Sequence, residues 1–416
     1  MKFVVRQILA AAVLASGAAT AQAQDTLKIA FIDPLTGAPG QAGQLSHKHF
    51  LMFAEELNAK GGVLGKKIEI VHYENKGSGQ ESQIQAQKAV DDGVRIFVNG
   101  ISSASGVALV DFVSRHNERN PDKRVLYLNY SGTDPVLSNE KCSIWQTVWD
   151  ATTPMKINAL ASFIKSQPSI KKVYLINQDY GQGQAAQASS RAALKERRPD
   201  IQIVGDELHP LLKINDFAPY VAKIKASGAD AVMTSNWGQD LALLMKAGGE
   251  AGLKVKWITI FAAGPGGPVS MMQARVAPSS VFAISEGDAG VNYGPSQEVE
   301  ARYRAKFGAE NTIIWPRAFN AMTQLVAVMN ETKSTDPKVL AEKLSGRKFK
   351  GLHGGDSWIR AENNQVIQPL IISSFGPLGP GQKFDEGKTG WGWKTEMKIP
   401  AEETVLPTTC KLVHPS

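Results

Sequence analysis

Residues 152–207 read TTPMKINALASFIKSQPSIKKVYLINQDYGQGQAAQASSRAALKERRPDIQIVGDE, and their periodicity decides the fold. After the Thr152-Thr153-Pro154 break, Met155–Ser166 carries apolar residues at helical spacing. Lys172–Asn177 is a short strand-like run, Gly183–Arg197 is helical again, and Ile201–Glu207 returns to strand. Strand, helix and strand in that order form a unit whose strands pair in parallel through a right-handed crossover. The same rhythm extends outward in both directions. Upstream, strands are predicted at Leu27–Asp33, Lys67–Tyr73, Arg95–Asn99 and Arg124–Tyr130, with helices at Leu45–Ala59, Gln80–Asp92 and Gly106–Asn117. Downstream, Ala229–Ser235, Val255–Phe261 and Val281–Glu286 continue the strands with helices between them. The fold class is therefore α/β, and the restart near residue 150 predicts two doubly wound lobes, each with a parallel central sheet. The end departs from the rhythm: Ser357-Trp358-Ile359 and Val366–Phe375 read as strands without helices, and Gly376–Gly392 as a Gly/Pro-rich loop.

Composition agrees with more than one lobe. The chain has 416 residues, beyond the roughly 250–300 at which a single core stops growing. With 43% hydrophobic and 20% charged residues it is ordinary globular material, not a disordered chain. The net charge of +7 is dispersed; its densest runs are Lys195-Glu196-Arg197-Arg198 and Arg347-Lys348-Phe349-Lys350. No basic patch supports nucleic-acid binding. At the N-terminus, Lys2 and Arg6 precede an apolar stretch from Ile8 to Ala19, and Ala21-Gln22-Ala23 supplies a small-x-small cleavage pattern. Residues 1–23 thus read as a signal peptide cleaved near Ala23, too short for a membrane span. Losing Lys2 and Arg6 lowers the charge excess by two, to +5. Export places the two cysteines, Cys142 and Cys410, in an oxidising compartment, where a disulfide is the expected state and two unpaired thiols the alternative. No metal site is expected, because the seven His are scattered and His47-Lys48-His49 would point its rings apart on a helix.

Open α/β sheets hold ligands at the carboxyl ends of their strands, so the loops there are where chemistry is sought. Gly100-Ile101-Ser102-Ser103-Ala104-Ser105-Gly106 brings three hydroxyls to a helix start, which suits a carboxylate or phosphate and equally suits plain capping. Ser131-Gly132-Thr133-Asp134-Pro135 is a second polar turn. Asp179-Tyr180-Gly181-Gln182-Gly183 and Asn236-Trp237-Gly238-Gln239 place two aromatics at strand ends of the other lobe, a pattern that predicts a clamp. Gly181-Gln182-Gly183-Gln184-Ala185-Ala186 also fits a dinucleotide fingerprint, with Asp206 and Glu207 ending the next strand. Tyr180 crowds that turn, however, and nicotinamide cofactors are not expected outside the cytoplasm. An oxidoreductase is thus the weakest alternative, and no cofactor is expected. There is no G-x-S-x-G and no diagnostic carboxylate pair, so catalysis is not expected.

Together, Ile29-Ala30-Phe31 with Leu35-Thr36-Gly37, then Ala54-Glu55-Glu56-Leu57-Asn58-Ala59-Lys60-Gly61-Gly62-Val63-Leu64-Gly65-Lys66-Lys67-Ile68, resemble the periplasmic leucine/isoleucine/valine-binding proteins. These are type I solute-binding proteins of ATP-driven (ABC) importers. The Asp179–Gly183 turn and Gly248-Gly249-Glu250-Ala251-Gly252-Leu253 add to the likeness, which runs from about Leu27 to the Ser357–Ser374 region. The resemblance implies that Ser105, with Ser103 as the other candidate, and Ser131, Gly132 and Thr133 hold a ligand carboxylate. It implies that Tyr180 and Trp237 close from the opposite lobe. The family's amino-acid binders carry an acidic residue after the strand at Val255–Phe261, where this chain has Ile260-Phe261-Ala262-Ala263-Gly264, with Phe261 the ligand-site candidate. Glu286 or Asp288 would have to substitute, or the ligand would be an aromatic or aliphatic acid without an amine. The expected whole is a monomeric periplasmic protein that binds a small amino acid or organic acid and delivers it to an inner-membrane permease. A ligand-sensing receptor subunit of the same fold is the alternative. Residues 24–149 with 290–354 are expected to form the first lobe, and 150–289 with 355–416 the second lobe and tail. The chain would cross between them near 148–152, 286–292 and 352–358, forming a three-crossover hinge.

Overall fold

Four consecutive residues, Ile29 to Ile32, are fully buried, as a strand flanked by helices on both faces requires. They belong to or follow β1 (Thr26–Phe31), the first strand of the computed structural model, which describes residues 26–287, 295–308, 316–352 and 354–414. The expected signal peptide, Asp288 and most of the expected second crossing lie outside the described residues. From β1 the chain alternates through α1 (Gly40–Ala59), β2 (Lys67–His72), α2 (Gly79–Asp91), β3 (Ile96–Asn99), α3 (Ser103–Arg119), β4 (Leu126–Asn129) and the three-residue β5 (Gln146–Val148). These strands form one parallel sheet in the order β2-β1-β3-β4-β5.

The rhythm restarts with α4 (Thr153–Lys165), β6 (Lys172–Gln178), α5 (Gly181–Arg197), β7 (Gln202–His209), α6 (Ala218–Ser227), β8 (Ala231–Thr234), α7 (Gly238–Glu250), β9 (Lys256–Thr259), α8 (Gly267–Gln273) and β10 (Val281–Ser285). Their parallel order, β10-β9-β8-β6-β7, repeats the first sheet strand for strand. In each lobe the order reverses between the first and third strands, and that switch point opens a crevice at the carboxyl ends. Helices α9 (Ser296–Phe307), α10 (Pro316–Thr332) and α11 (Pro337–Leu344) then return to the first sheet, where Ala318, Met322, Leu325 and Leu340 join its core.

The C-terminal part differs from the sequence expectation in two ways. Val366–Phe375 is not one strand. It divides at Gln368-Pro369 into β13 (Val366–Ile367), which completes a small antiparallel sheet with β11 (Lys348–Lys350) and β12 (Asp356–Ile359), and β14 (Leu370–Pro377). Proline has no N–H to give a ladder, which accounts for the break there. The second sheet then gains two antiparallel strands, β14 beside β10 and β15 (Trp391–Ile399) beyond it at the edge. Beyond β15 the tail passes back to the first lobe. Thr408 Oγ1 donates to Ser138 O (3.1 Å), Thr409 N to Asn139 Oδ1 (3.0 Å), and Cys410 is disulfide-bonded to Cys142 with Cα atoms 5.8 Å apart.

Candidate functional site

The loops at the carboxyl ends of the two sheets face each other across a cavity of ≈ 90 Å³. From the first lobe it is lined by Gly100 to Ser103, Ser131, Thr133 and, in the first turn of α10, Arg317. From the second lobe come Lys156, Tyr180, Trp237, Phe261 and Glu286. Six of the eight residues expected at a ligand site therefore meet here: Ser103, Ser131, Thr133, Tyr180, Trp237 and Phe261.

Ser105 and Gly132 do not line the cavity. Helix α3 begins at Ser103, earlier than its periodicity predicts, so Ser103 faces the cleft and Ser105, two residues on, is turned away and fully buried. Ser103 Oγ accepts from Thr133 N (3.0 Å) and Asp134 N (3.2 Å), which ties the two hydroxyl loops together and leaves its proton for a ligand acceptor. Gly132 is spent on its own turn, its N–H donating to Asn129 Oδ1 (2.7 Å) and its carbonyl accepting from Asn129 Nδ2 (3.2 Å). Thr133 is in turn reached by Thr153, whose hydroxyl donates to Thr133 Oγ1 (3.1 Å) at the first passage between lobes.

Asp33, beneath the Gly100–Ile101 loop, holds it in place by accepting from both backbone N–H groups at 2.9 Å. Opposite, Tyr180 and Trp237 precede the first residues of α5 and α7, and Trp237 Nε1 donates to Tyr180 Oη (2.8 Å). Burial holds the Tyr180 hydroxyl well above its usual range, although the Trp237 bond opposes it, so it stays protonated. The glycines of the apparent dinucleotide fingerprint serve packing here. A Cβ on Gly183 would overlap Gln178 O, and one on Gly181 would overlap Asp134 Oδ2 from the first lobe.

A ring of four buried charges forms one wall. Lys156 Nζ lies 2.7 Å from Asp150 Oδ1 and 3.6 Å from Glu286 Oε1. Arg317 completes it with Nη1 on Asp150 and Nε 3.4 Å from Glu286 Oε2, and Nη1 also donates to Ser131 Oγ (2.9 Å). Signs alternate around the ring: Asp150 lies between β5 and α4, Lys156 in α4, Glu286 just after β10 and Arg317 in α10. Burial pushes the Asp150 carboxyl up to about 7 against the pull of Arg317, with Glu286 adding to the rise. For Glu286 burial also pushes upward, but Arg317, Lys156 and the hydrogen bond with Asp150 outweigh it and hold the carboxyl below its usual range. Sequence reading named Glu286 but not the other three. Their only local signals are a lysine inside an apolar helical run and an arginine after Pro316; Arg317 and Asp150 are 167 residues apart.

The family described as periplasmic binding protein matches residues 26–376. The chain belongs to that family. Among its relatives is the "Leu/Ile/Val-binding protein homolog 4" of Brucella abortus, 36% identical over 418 residues, covering 98% of this chain and 97% of that protein. The closed conformation of the leucine-, isoleucine-, valine-, threonine- and alanine-binding protein of Brucella ovis superposes with a TM-score of 0.83 at 27% identity, over 94% of this chain and all (100%) of that one. A Rhodopseudomonas palustris solute-binding protein in complex with 3,4-dihydroxy benzoic acid shares the fold, with a TM-score of 0.76 at 19% identity, covering 91% and 98%. Both lobes thus have the type I architecture of periplasmic binding proteins. Among the described residues no helix is long and apolar enough to cross a membrane.

Proposed function

We propose that this chain is the periplasmic, exported substrate-binding component of an ABC importer of the branched-chain-amino-acid type. It takes a small organic ligand bearing a carboxylate between two lobes, closes on it by a hinge motion, and presents it as a monomer to an inner-membrane permease. Residues 24–149 with 290–354 and 150–289 with 355–416 are the moving units, after a leader of residues 1–23 has been cleaved near Ala23. The observation that carries this reading is the cavity itself. Hydroxyls of Ser103, Ser131 and Thr133 and the Arg317 guanidinium face it from one lobe, while the apolar rings of Tyr180, Trp237 and Phe261 cover it from the other. Oriented donors fix an anion, and apolar walls that arrive on closure exclude water and strengthen those bonds. The names of the Brucella relatives support a ligand of this size.

A thermal-shift panel of aliphatic and aromatic amino acids and organic acids tests the reading. At least one small carboxylate is expected to raise the melting temperature. Ser103→Ala and Thr133→Ala are each expected to weaken the best ligand about tenfold or more, the worth of one hydrogen bond to a charged group. A panel in which nothing stabilises the protein would overturn it.

A further inference from the structure

Glu286 is the only carboxylate lining the cavity among the described residues, and the cavity also holds two cations, Lys156 and Arg317. Each Glu286 oxygen already has a cation beside it: Lys156 Nζ 3.6 Å from Oε1 and Arg317 Nε 3.4 Å from Oε2. The three side chains are 1%, 2% and 11% exposed, so these charges act across a poorly screened interior. We infer, resting on the carrier reading above, that the ligand is a monocarboxylate without an amine, and that the Asp150–Lys156–Glu286–Arg317 ring is what rejects amino acids.

An entering ammonium would have to take Glu286 from Lys156 and Arg317 while approaching both, and a buried charge that lacks its own partner is costly. The charged side chains that line the cavity, Lys156, Arg317 and Glu286, sum to one positive, so an entering carboxylate is favoured over an ammonium. Arg317 and Lys156 attract it, and Ser131, already bonded to Arg317 Nη1 at 2.9 Å, stands beside them. Asp150 gives the ammonium no second anchor, because it is fully buried and bonded to Lys156 and Arg317. Its tendency to hold a proton up to about pH 7 further reduces the ring's negative charge. The remaining walls suit the rest of such a ligand. Ile260, Phe261, Ile284 and Pro316 line the cavity, and the Phe261 ring is itself 5.4 Å from Lys156 Nζ, so that cation is held against an apolar surface.

Isothermal titration with matched pairs decides the matter: isocaproate against leucine, and hydrocinnamate against phenylalanine. Each pair has one carboxylate and a closely similar apolar tail and differs in the amine. At least one amine-free acid is expected to bind, and about tenfold or more tighter than its amino-acid twin. Leucine or phenylalanine binding as tightly as its twin would overturn the inference while leaving the carrier reading intact. If neither member of either pair bound, and no other carboxylate in the panel did, both would fall. In Lys156→Met, which releases one side of Glu286, the gap between twins should narrow. A folded Lys156→Met protein with the gap unchanged would show that the ring is not the discriminator.

Discussion

At the end of β1, Asp33 accepts four hydrogen bonds while fully buried: from Asn99 Nδ2 (2.7 Å), Gly100 N (2.9 Å), Ile101 N (2.9 Å) and Tyr130 Oη (2.7 Å). Burial pushes its carboxyl from 3.8 up to about 8, and the donated bonds from Tyr130, Ile101 and Gly100 only partly offset that. The linkage has a definite sign. The unfolded chain releases this proton above 3.8 and the folded chain keeps it to about 8, so its contribution to stability falls as the pH rises between those values. Asp33→Asn has no such proton and places an amide where two donors point, at a cost of about 1–3 kcal/mol. The stability gap between wild type and variant, measured by urea unfolding, should be widest near the acid end of that window and narrow toward its upper end. A gap that widens with pH would mean that folded Asp33 is ionised. The same residue shows what the sequence could disclose. Its position at a strand end was legible, and so were the hydroxyl loops and both aromatics, because each follows a buried strand. The bonds that decide which loop groups remain for a ligand were not. Ser103 and Ser105 are equivalent as letters and differ only in the face of α3 on which they fall.

Helix α5 starts against the end of β6 so closely that Gly183 has no room for a side chain. Gly183→Ala should therefore destabilise the protein by about 1–3 kcal/mol, as overpacking does, because the helix start must back away from Gln178. Tyr180 immediately precedes that start and bonds Trp237, so the same variant should also weaken ligand binding; unaltered affinity would detach the clamp from the helix that carries it. This close approach explains why a packing requirement imitates a nucleotide fingerprint: both need glycine where backbone meets backbone. Strands that alternate with helices were legible, including the little-buried β2 and β7, whereas the three-residue β5 was missed although it is wholly buried. The strands β3, β4, β6, β8, β9 and β10 are mostly or wholly buried, β1 is buried over its second half, and all were read closely. Edge strand β15, in which Lys394, Glu396 and Lys398 alternate with inward residues, carried no continuous apolar run and was missed. Of the ring of Asp150, Lys156, Glu286 and Arg317, only Glu286 was named from sequence. The ring's members come from four separate segments, and only the return of α10 to the first sheet brings Arg317 to Asp150.

For the whole molecule, the repeated strand order sets two switch-point crevices face to face, and the chain's passages between the lobes tie them together. The tail adds a further tie. Strand β15 is an edge of the second sheet, yet Cys410, eleven residues beyond its end, is bonded to Cys142 in the first lobe. Residues 400–409 span at most roughly 3.3–3.6 Å each, so this segment is a short tether between the lobes. The bond closes a loop with a sequence separation of 268 residues, and the unfolded chain is correspondingly restricted while it is intact. Cys410→Ser should lower the unfolding free energy by about 2–4 kcal/mol, and a reducing agent should do the same to the wild type and nothing further to the variant. Ligand affinity should change far less, because neither cysteine lines the cavity. Denaturant unfolding with and without reductant, alongside titration of the best panel ligand, separates the two effects. Equal stability in all four states would show that the tether contributes nothing to the fold. A large loss of affinity at unchanged stability would instead make it part of the closing motion.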